Sequence, residues 1–164
     1  MGSQNPVRPA RRVDASITTM TEYVLPTHAN IHGNVFGGQI LAWVDLCAAI
    51  CAQRHTGQNA ITVCIDELQF ERSIKVGQVV ILKARMSAAF RTSVEILVEV
   101  EGEETTTGAR WPCVSAFVSF VAMDANRVPV PVPPLELVTD EERALAEAAL
   151  GRRAHRLKGR KVRA

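Results

Sequence analysis

The chain has 164 residues, 47% of them hydrophobic, and a formal net charge of +2. That is one domain's length, with enough chain to bury a core without disulfide staples. The charge is unevenly placed: the last fourteen residues hold seven bases (Arg152, Arg153, Arg156, Lys158, Arg160, Lys161 and Arg163) and no acid, which leaves the body at about −5. The four cysteines (Cys47, Cys51, Cys64 and Cys113) form no C-x-x-C pair and sit among apolar neighbours, and no secretion signal or membrane-length apolar run is present. Reduced core thiols and a cytoplasmic location are expected.

Residues 1–15 are polar and basic and read as a disordered leader, followed by a principal domain over 16–134 and a C-terminal helix and basic tail over 135–164. A first strand is expected from Thr18 to Leu25, stopped by Pro26. The turn-rich THANIHGN then leads into NVFGGQILAWVDLCAAICAQRH, where a Gly37-Gly38 turn opens an apolar helix of about four turns. A helix that is hydrophobic all round belongs inside a fold. In ITVCIDELQF the apolar residues change face after Ile65, so a bulge or bend is expected near Asp66-Glu67. Val79–Ala88 and Thr92–Glu101 read as a long antiparallel hairpin with one largely wet face, carrying Glu95, Glu99 and Glu101. Pro112–Met123 is nearly continuously apolar and so lies centrally in the sheet, and ANRVPVPVPP reads as an extended strap. Thr139 with Glu142 forms a capping box that starts a second helix. Five strands, one early apolar helix and one late amphipathic helix make an α+β domain whose antiparallel sheet curls around the first helix.

One residue breaks the pattern. Asp45 sits in the middle of the apolar helix, and its i+3 and i+4 neighbours are alanines. A buried carboxylate is costly unless it is paired or hydrogen-bonded. Pairing with a distant group and a role in chemistry both fit. Cys47, Cys51 and His55 fall at i, i+4 and i+8, a possible metal-ligand face, but zinc sites draw ligands from at least two elements. Core packing is the preferred reading, and no metal is expected.

The order strand, H-G-N-V-F-G-G turn, Asp-bearing buried helix and four strands resembles the hotdog fold. The residues resemble its acyl-CoA thioesterase branch, the cytosolic hydrolases of the YciA and brain acyl-CoA hydrolase type. The matching pieces are His32 to Gly38, Asp45 two residues after Trp43, Phe70 with a basic loop and Val76-Gly77, Arg91-Thr92-Ser93, and Phe120 to Asp124 before a Pro-rich stretch. The loop after Phe70 departs from the family's usual Arg-Pro, carrying Glu71-Arg72-Ser73. The resemblance implies that Asp45 is the catalytic carboxylate and that Asn34 helps place water or the thioester. It also implies that the amides of Gly37 and Gly38 bind the thioester carbonyl and that Arg91, Thr92 and Ser93 touch coenzyme A. No cofactor is implied, coenzyme A being part of the substrate. Hexamers, as trimers of dimers, are common in the family.

The chemistry suits these residue types. Unpaired amides at a helix start stabilise a developing oxyanion, by about 2.7–4 kcal/mol per donor. Asp45, however, lies seven residues beyond Gly38, roughly 10 Å along the helix axis. Asp45 serves either as general base on water or as nucleophile forming a mixed anhydride, and a base must reach the water it activates. Asp45 is therefore expected to serve the site of a second subunit, in a homodimer with antiparallel helices and two shared sites. The phosphates of coenzyme A call for bases: Arg91 first, then Arg72 and Lys75. The function expected is acyl-CoA hydrolysis to free fatty acid and coenzyme A. The alternative is a non-catalytic acyl-CoA sensor whose basic tail binds nucleic acid, although no helix-turn-helix is recognisable. The Asp-x-Asn-Pro-x-His pattern of hotdog dehydratases is absent.

Overall fold

The computed structural model describes residues 8–161. In chain order the elements are β1 (Arg11–Arg12), β2 (Thr18–Tyr23), α1 (Gly37–Thr56), β3 (Asn59–Phe70), β4 (Val79–Ala89), β5 (Ser93–Glu104), β6 (Ala109–Met123), β7 (Leu135–Glu136) and α2 (Asp140–Lys161), with two short 3-10 turns at Val13–Ser16 and Pro26–His28. The main sheet is antiparallel in the order β2-β4-β5-β6-β3. Its concave face packs on α1, which touches all five strands. This is the expected α+β arrangement. β6 is interior, as its apolar run requires. β3 is an edge strand whose register shifts between Asp66 and Gln69, with Glu67 at φ 52°, where the hydrophobic phase changes.

α1 is less enclosed than its composition implies. Trp43, Val44, Cys47, Ala48 and Cys51 are buried, whereas Ala42 is exposed and Leu46 is 53% exposed. One stripe of an apolar helix thus faces outward in the single chain, beside the edge strand β3.

The far end of α1 is sealed by the N-terminal segment. The helix stops at Gly57 (φ 63°), whose N–H donates to Gln53 O. Arg11 Nη1 donates to the carbonyls of Arg54 and His55, both at 2.8 Å, and Arg8 Nη1 to Thr56 O at 2.7 Å. Positive side chains there satisfy orphan carbonyls and complement the dipole. Residues 8–15, expected within a disordered leader, therefore take defined structure: β1 pairs in parallel with β7, and Val13 is buried. Residues 1–7 lie outside the described residues. The Arg-Arg pair gave no strand signal, because a two-residue strand has no period.

α2 overturns one other expectation, that of a wet face on β5. It begins at the expected capping box: Thr139 Oγ1 accepts the Glu142 N–H at 3.1 Å, and Glu142 accepts the Thr139 N–H at 3.0 Å. It then runs through the basic segment and lies across the outer face of the sheet. The face of β5 expected to be wet is covered there: Glu95 is 0% exposed and Leu97 is buried. Arg152 binds Glu95 at 2.8 Å, and Arg156 bridges Glu95 at 3.0 Å and Asp66. Ser87 donates to Glu95 at 2.8 Å, and Arg152 stacks on Phe117 at 3.5 Å. Two bases of the tail, to which the sensor alternative gives nucleic-acid binding, are thus held by carboxylates of the sheet. Glu95 lies 57 residues from Arg152, beyond the reach of any local pattern.

His55 is fully buried, and its Nε2 donates to Pro133 O at 3.0 Å. Desolvation, opposed by that bond and aided by the Arg11 charge, holds its pKa below the usual histidine value. The unfolded chain therefore binds a proton that the folded chain does not. His55's contribution to stability is complete above about pH 6.5 and is lost as pH falls below it, by up to about 1.4 kcal/mol per pH unit. Urea unfolding at pH 7.5 and pH 5 should show this loss in the wild type and a smaller one in His55→Gln.

Candidate active site

The turn before α1 is built by its own side chains. Asn30 Oδ1 accepts the N–H groups of His32 (2.9 Å) and Asn34 (3.3 Å), and Gly33 N–H closes onto Asn30 O at 3.0 Å. Gly33 takes φ 73°, a conformation that favours glycine. The turn sets Phe36 at the helix N-cap, with no side chain capping the amides behind it. Gln39 and Ile40 N–H groups donate to Phe36 O, so the amides of Gly37 and Gly38 carry no internal partner. Gly37 stands at a cavity of about 300 Å³ lined also by Asn30, Asn34, Ile40, Phe70, Glu71 and Arg72, whereas Gly38 lies under the Phe36 ring. Its wall is apolar at Ile40 and Phe70 and polar at the asparagines. With Asn30 Oδ1 held by two amides, its NH₂ is left as a free donor among the described residues.

Asp45 lies elsewhere. Two turns along α1, Thr62 Oγ1 donates to Asp45 Oδ1 at 2.7 Å. One oxygen is thereby oriented, and the carboxylate stays partly open at the margin of the uncovered helix stripe. Strand register separates the two regions further. Thr62 pairs with Phe120, and Phe70 with Val114. Six residues of β6 at ~3.3 Å each put the cavity end and the Thr62 end roughly 20 Å apart.

The same register places Arg91, Thr92 and Ser93 at the Asp45 end. Ser93 pairs with Val121, one residue from the partner of Thr62 and two strands away. Arg91 is exposed, and its carbonyl accepts Val132 N–H at 3.1 Å. The structure thus divides the expected residues. Asn34, Gly37 and Gly38 lie together at one end, and Asp45, Arg91, Thr92 and Ser93 lie toward the other. Thr62 and Asn30 were not singled out from the sequence. Thr62 reads there as an ordinary strand residue, whereas Asn30, three before Gly33, carries a visible Asx-turn signal.

The three buried cysteines offer no thiolate. Burial pushes the thiol of Cys47 up to about 11, that of Cys51 to about 12 and that of Cys113 to about 11, so each stays protonated near neutrality. Cys47 donates to Thr18 O and His55 to Pro133 O, and no metal-ligating cluster occurs among the described residues. No helix among them is long and apolar enough to cross a membrane.

A curled sheet on a central helix defines a hotdog protein, and this one carries bare amides and an oriented carboxylate on that helix. A family model described as thioesterase superfamily matches residues 32–109. A Bacillus subtilis relative, the uncharacterized acyl-CoA thioester hydrolase YkhA, is 35% identical over 86% of this chain and 81% of its own. The chain belongs to this family of acyl-CoA thioester hydrolases. Among solved structures, a hexameric acyl-CoA thioesterase superposes with TM-score 0.88 at 36% identity, covering 92% of this chain and 97% of that one. The Staphylococcus aureus acyl-CoA hydrolase, solved with butyryl coenzyme A, coenzyme A and coenzyme A disulfide, superposes with TM-score 0.84 at 28% identity, covering 94% of each chain. Variants of it with an Asp, a Thr or an Asn changed to Ala have also been solved. The chain spans about a quarter of the length of the mouse and rat acetyl-coenzyme A thioesterases it matches.

Proposed function

We propose that this protein hydrolyses acyl-CoA thioesters to free acid and coenzyme A in the cytoplasm, at sites shared between two copies of the chain. The observation that carries the reading is the cavity at the unpaired amide of Gly37, with that of Gly38 next in the helix. A thioester carbonyl seated there meets donors already in place for the oxyanion. The NH₂ of Asn30, its oxygen pinned, adds a donor to the same wall, and Asn34 stands beside it. Asp45, oriented by Thr62, takes a proton from water as the oxygen bonds to the thioester carbon. The C–S bond then breaks, and the proton passes to the departing thiolate. In the S. aureus hydrolase the substituted aspartate and threonine lie 17 residues apart, the separation of Asp45 and Thr62. Its substituted asparagine precedes that aspartate by the interval between Asn30 and Asp45. These intervals support Asn30, alongside Asn34, as a functional asparagine.

The separation of the two groups within one chain supports a dimer. β3 is a long unpaired edge that exposes Ile61 and Val63, next to the bare Leu46 stripe of α1. An exposed apolar edge of this kind is an aggregation hazard unless it is covered. A second copy related by a two-fold axis covers it and brings its Asp45 to this chain's Gly38. The family's hexamers would then be three such dimers.

The test is thiol release from acyl-CoAs of two to sixteen or so carbons, run with sedimentation of the same sample. Release from at least one substrate by a dimer or its multiple is expected. A monomer that hydrolyses at full rate would overturn the shared site, and absence of release from every substrate would overturn the activity.

A further inference from the structure

Behind the cavity, β5 and β6 carry a stacked arrangement that the chemistry above does not use. Gly102 on β5 pairs with Trp111 on β6, and the indole lies against the Gly102 backbone so closely that an added Cβ would sit 2.5 Å from the ring. Trp111 is buried, 8% exposed. On the ring rests Arg72, with its guanidinium carbon 4.7 Å from the ring centroid. Arg72 comes from the loop after β3 and lines the cavity at the helix start. Arg72 makes no ion pair among the described residues, although Glu71 beside it lines the same cavity. Stacking on an indole uses the face of a guanidinium and leaves its five in-plane N–H donors free. A planar cation held at a cavity rim with its donors unused is built to grip an anion in two-point fashion.

We infer that Arg72, positioned by Trp111 packed against Gly102, binds a phosphate group of coenzyme A at the cavity mouth. The inference rests on the acyl-CoA reading above. It selects the phosphates over a carboxylate at the far end of the acyl chain because Arg72 is exposed while the wall behind it, at Val35, Ile40 and Cys113, is buried and apolar. A charged acyl terminus would have to sit against that wall, whereas a phosphate at the rim stays hydrated. Lysine cannot replace this geometry, since an ammonium neither stacks flat nor offers a fork. Trp111 is a positioning residue: it acts through Arg72.

The experiment compares acyl-CoA with the same acyl group on pantetheine, which carries no phosphate, using the wild type, Arg72→Ala, Arg72→Lys and Trp111→Leu. Arg72→Ala should raise the KM for acyl-CoA about tenfold more than the KM for acyl-pantetheine, with kcat on acyl-CoA nearly unchanged. Arg72→Lys should recover part of that loss, and Trp111→Leu should shift the same ratio in the same direction. Arg72 is at the surface, so its variants fold whether or not Trp111→Leu does. Equal rises in KM on both substrates would assign Arg72 to the shape of the cavity and overturn the inference. So would a defect confined to acyl groups that end in a carboxylate. A wild type that releases no thiol at all would remove the hydrolase reading alone. Calorimetric titration of coenzyme A into the same variants would still decide the clamp, an unchanged affinity in Arg72→Ala overturning it.

Discussion

Asp45→Ala is expected to lower thiol release from acyl-CoA by about a hundred- to ten-thousandfold, the range for loss of a positioned general base. The change leaves the oxyanion donors and the cavity intact, so the loss should fall on kcat more than on KM. Thr62→Val removes only the hydrogen bond that orients Asp45 and should cost less. The sharper experiment mixes two inactive chains. In a two-fold dimer Asp45 of one copy serves Asn30 and Gly38 of the other, so a dimer of one Asp45→Ala chain and one Asn30→Ala chain holds one intact site and one doubly damaged site. Random reassociation of equal amounts makes about half the dimers mixed, and activity should return to about a quarter of wild type. No return above either parent would place Asp45 and Asn30 in one chain's site, against the ~10 Å helix separation and the register of β3.

The second large effect concerns stability. Arg152→Ala combined with Arg156→Ala removes both cations from Glu95, whose side chain has 0% exposure. A carboxylate left unpaired in the interior costs about 3–5 kcal/mol. For a domain of this length that is a fall in Tm of about 10 °C. Glu95→Ala should cost less, because the two arginines are partly open to water and can hydrate. Differential scanning calorimetry of the three proteins orders these effects. A double variant that melts with the wild type would mean that α2 is held by its apolar contacts, Ala149 foremost, and that Glu95 finds water.

Local features of the fold were readable and distant pairings were not. The apolar run after Gly37-Gly38 specified α1, the phase change after Ile65 located the β3 bulge, and Thr139 with Glu142 marked the start of α2. Each of these signals lies within a few residues of its cause. Asp45 was visible as an anomaly because a carboxylate in an apolar helix demands an explanation. Its partner was not visible, since Thr62 in a β-rich run needs none. Glu95 was misjudged for a related reason. Alternation along a strand distinguishes two faces but cannot show that α2 will cover one of them. Division of the site between two ends of the chain's sheet followed from helix rise alone, and strand register then supported it.

The seal on α1 bears on how the chain folds as it is made. Arg8 and Arg11 close the end of the central helix, yet β1, which carries Arg11, is hydrogen-bonded to β7, and His55 leans on Pro133. The parts that finish the helix near residue 56 are thus supplied by residues 133–136, late in translation. A nascent chain that has already emitted the helix and the first strands still has an open helix end and an uncovered core. Ribosome-bound chains arrested before residue 133 should be protease-sensitive around His55, and those released beyond residue 136 should not. Synthesis order thereby gives a single late segment control over when the domain becomes closed.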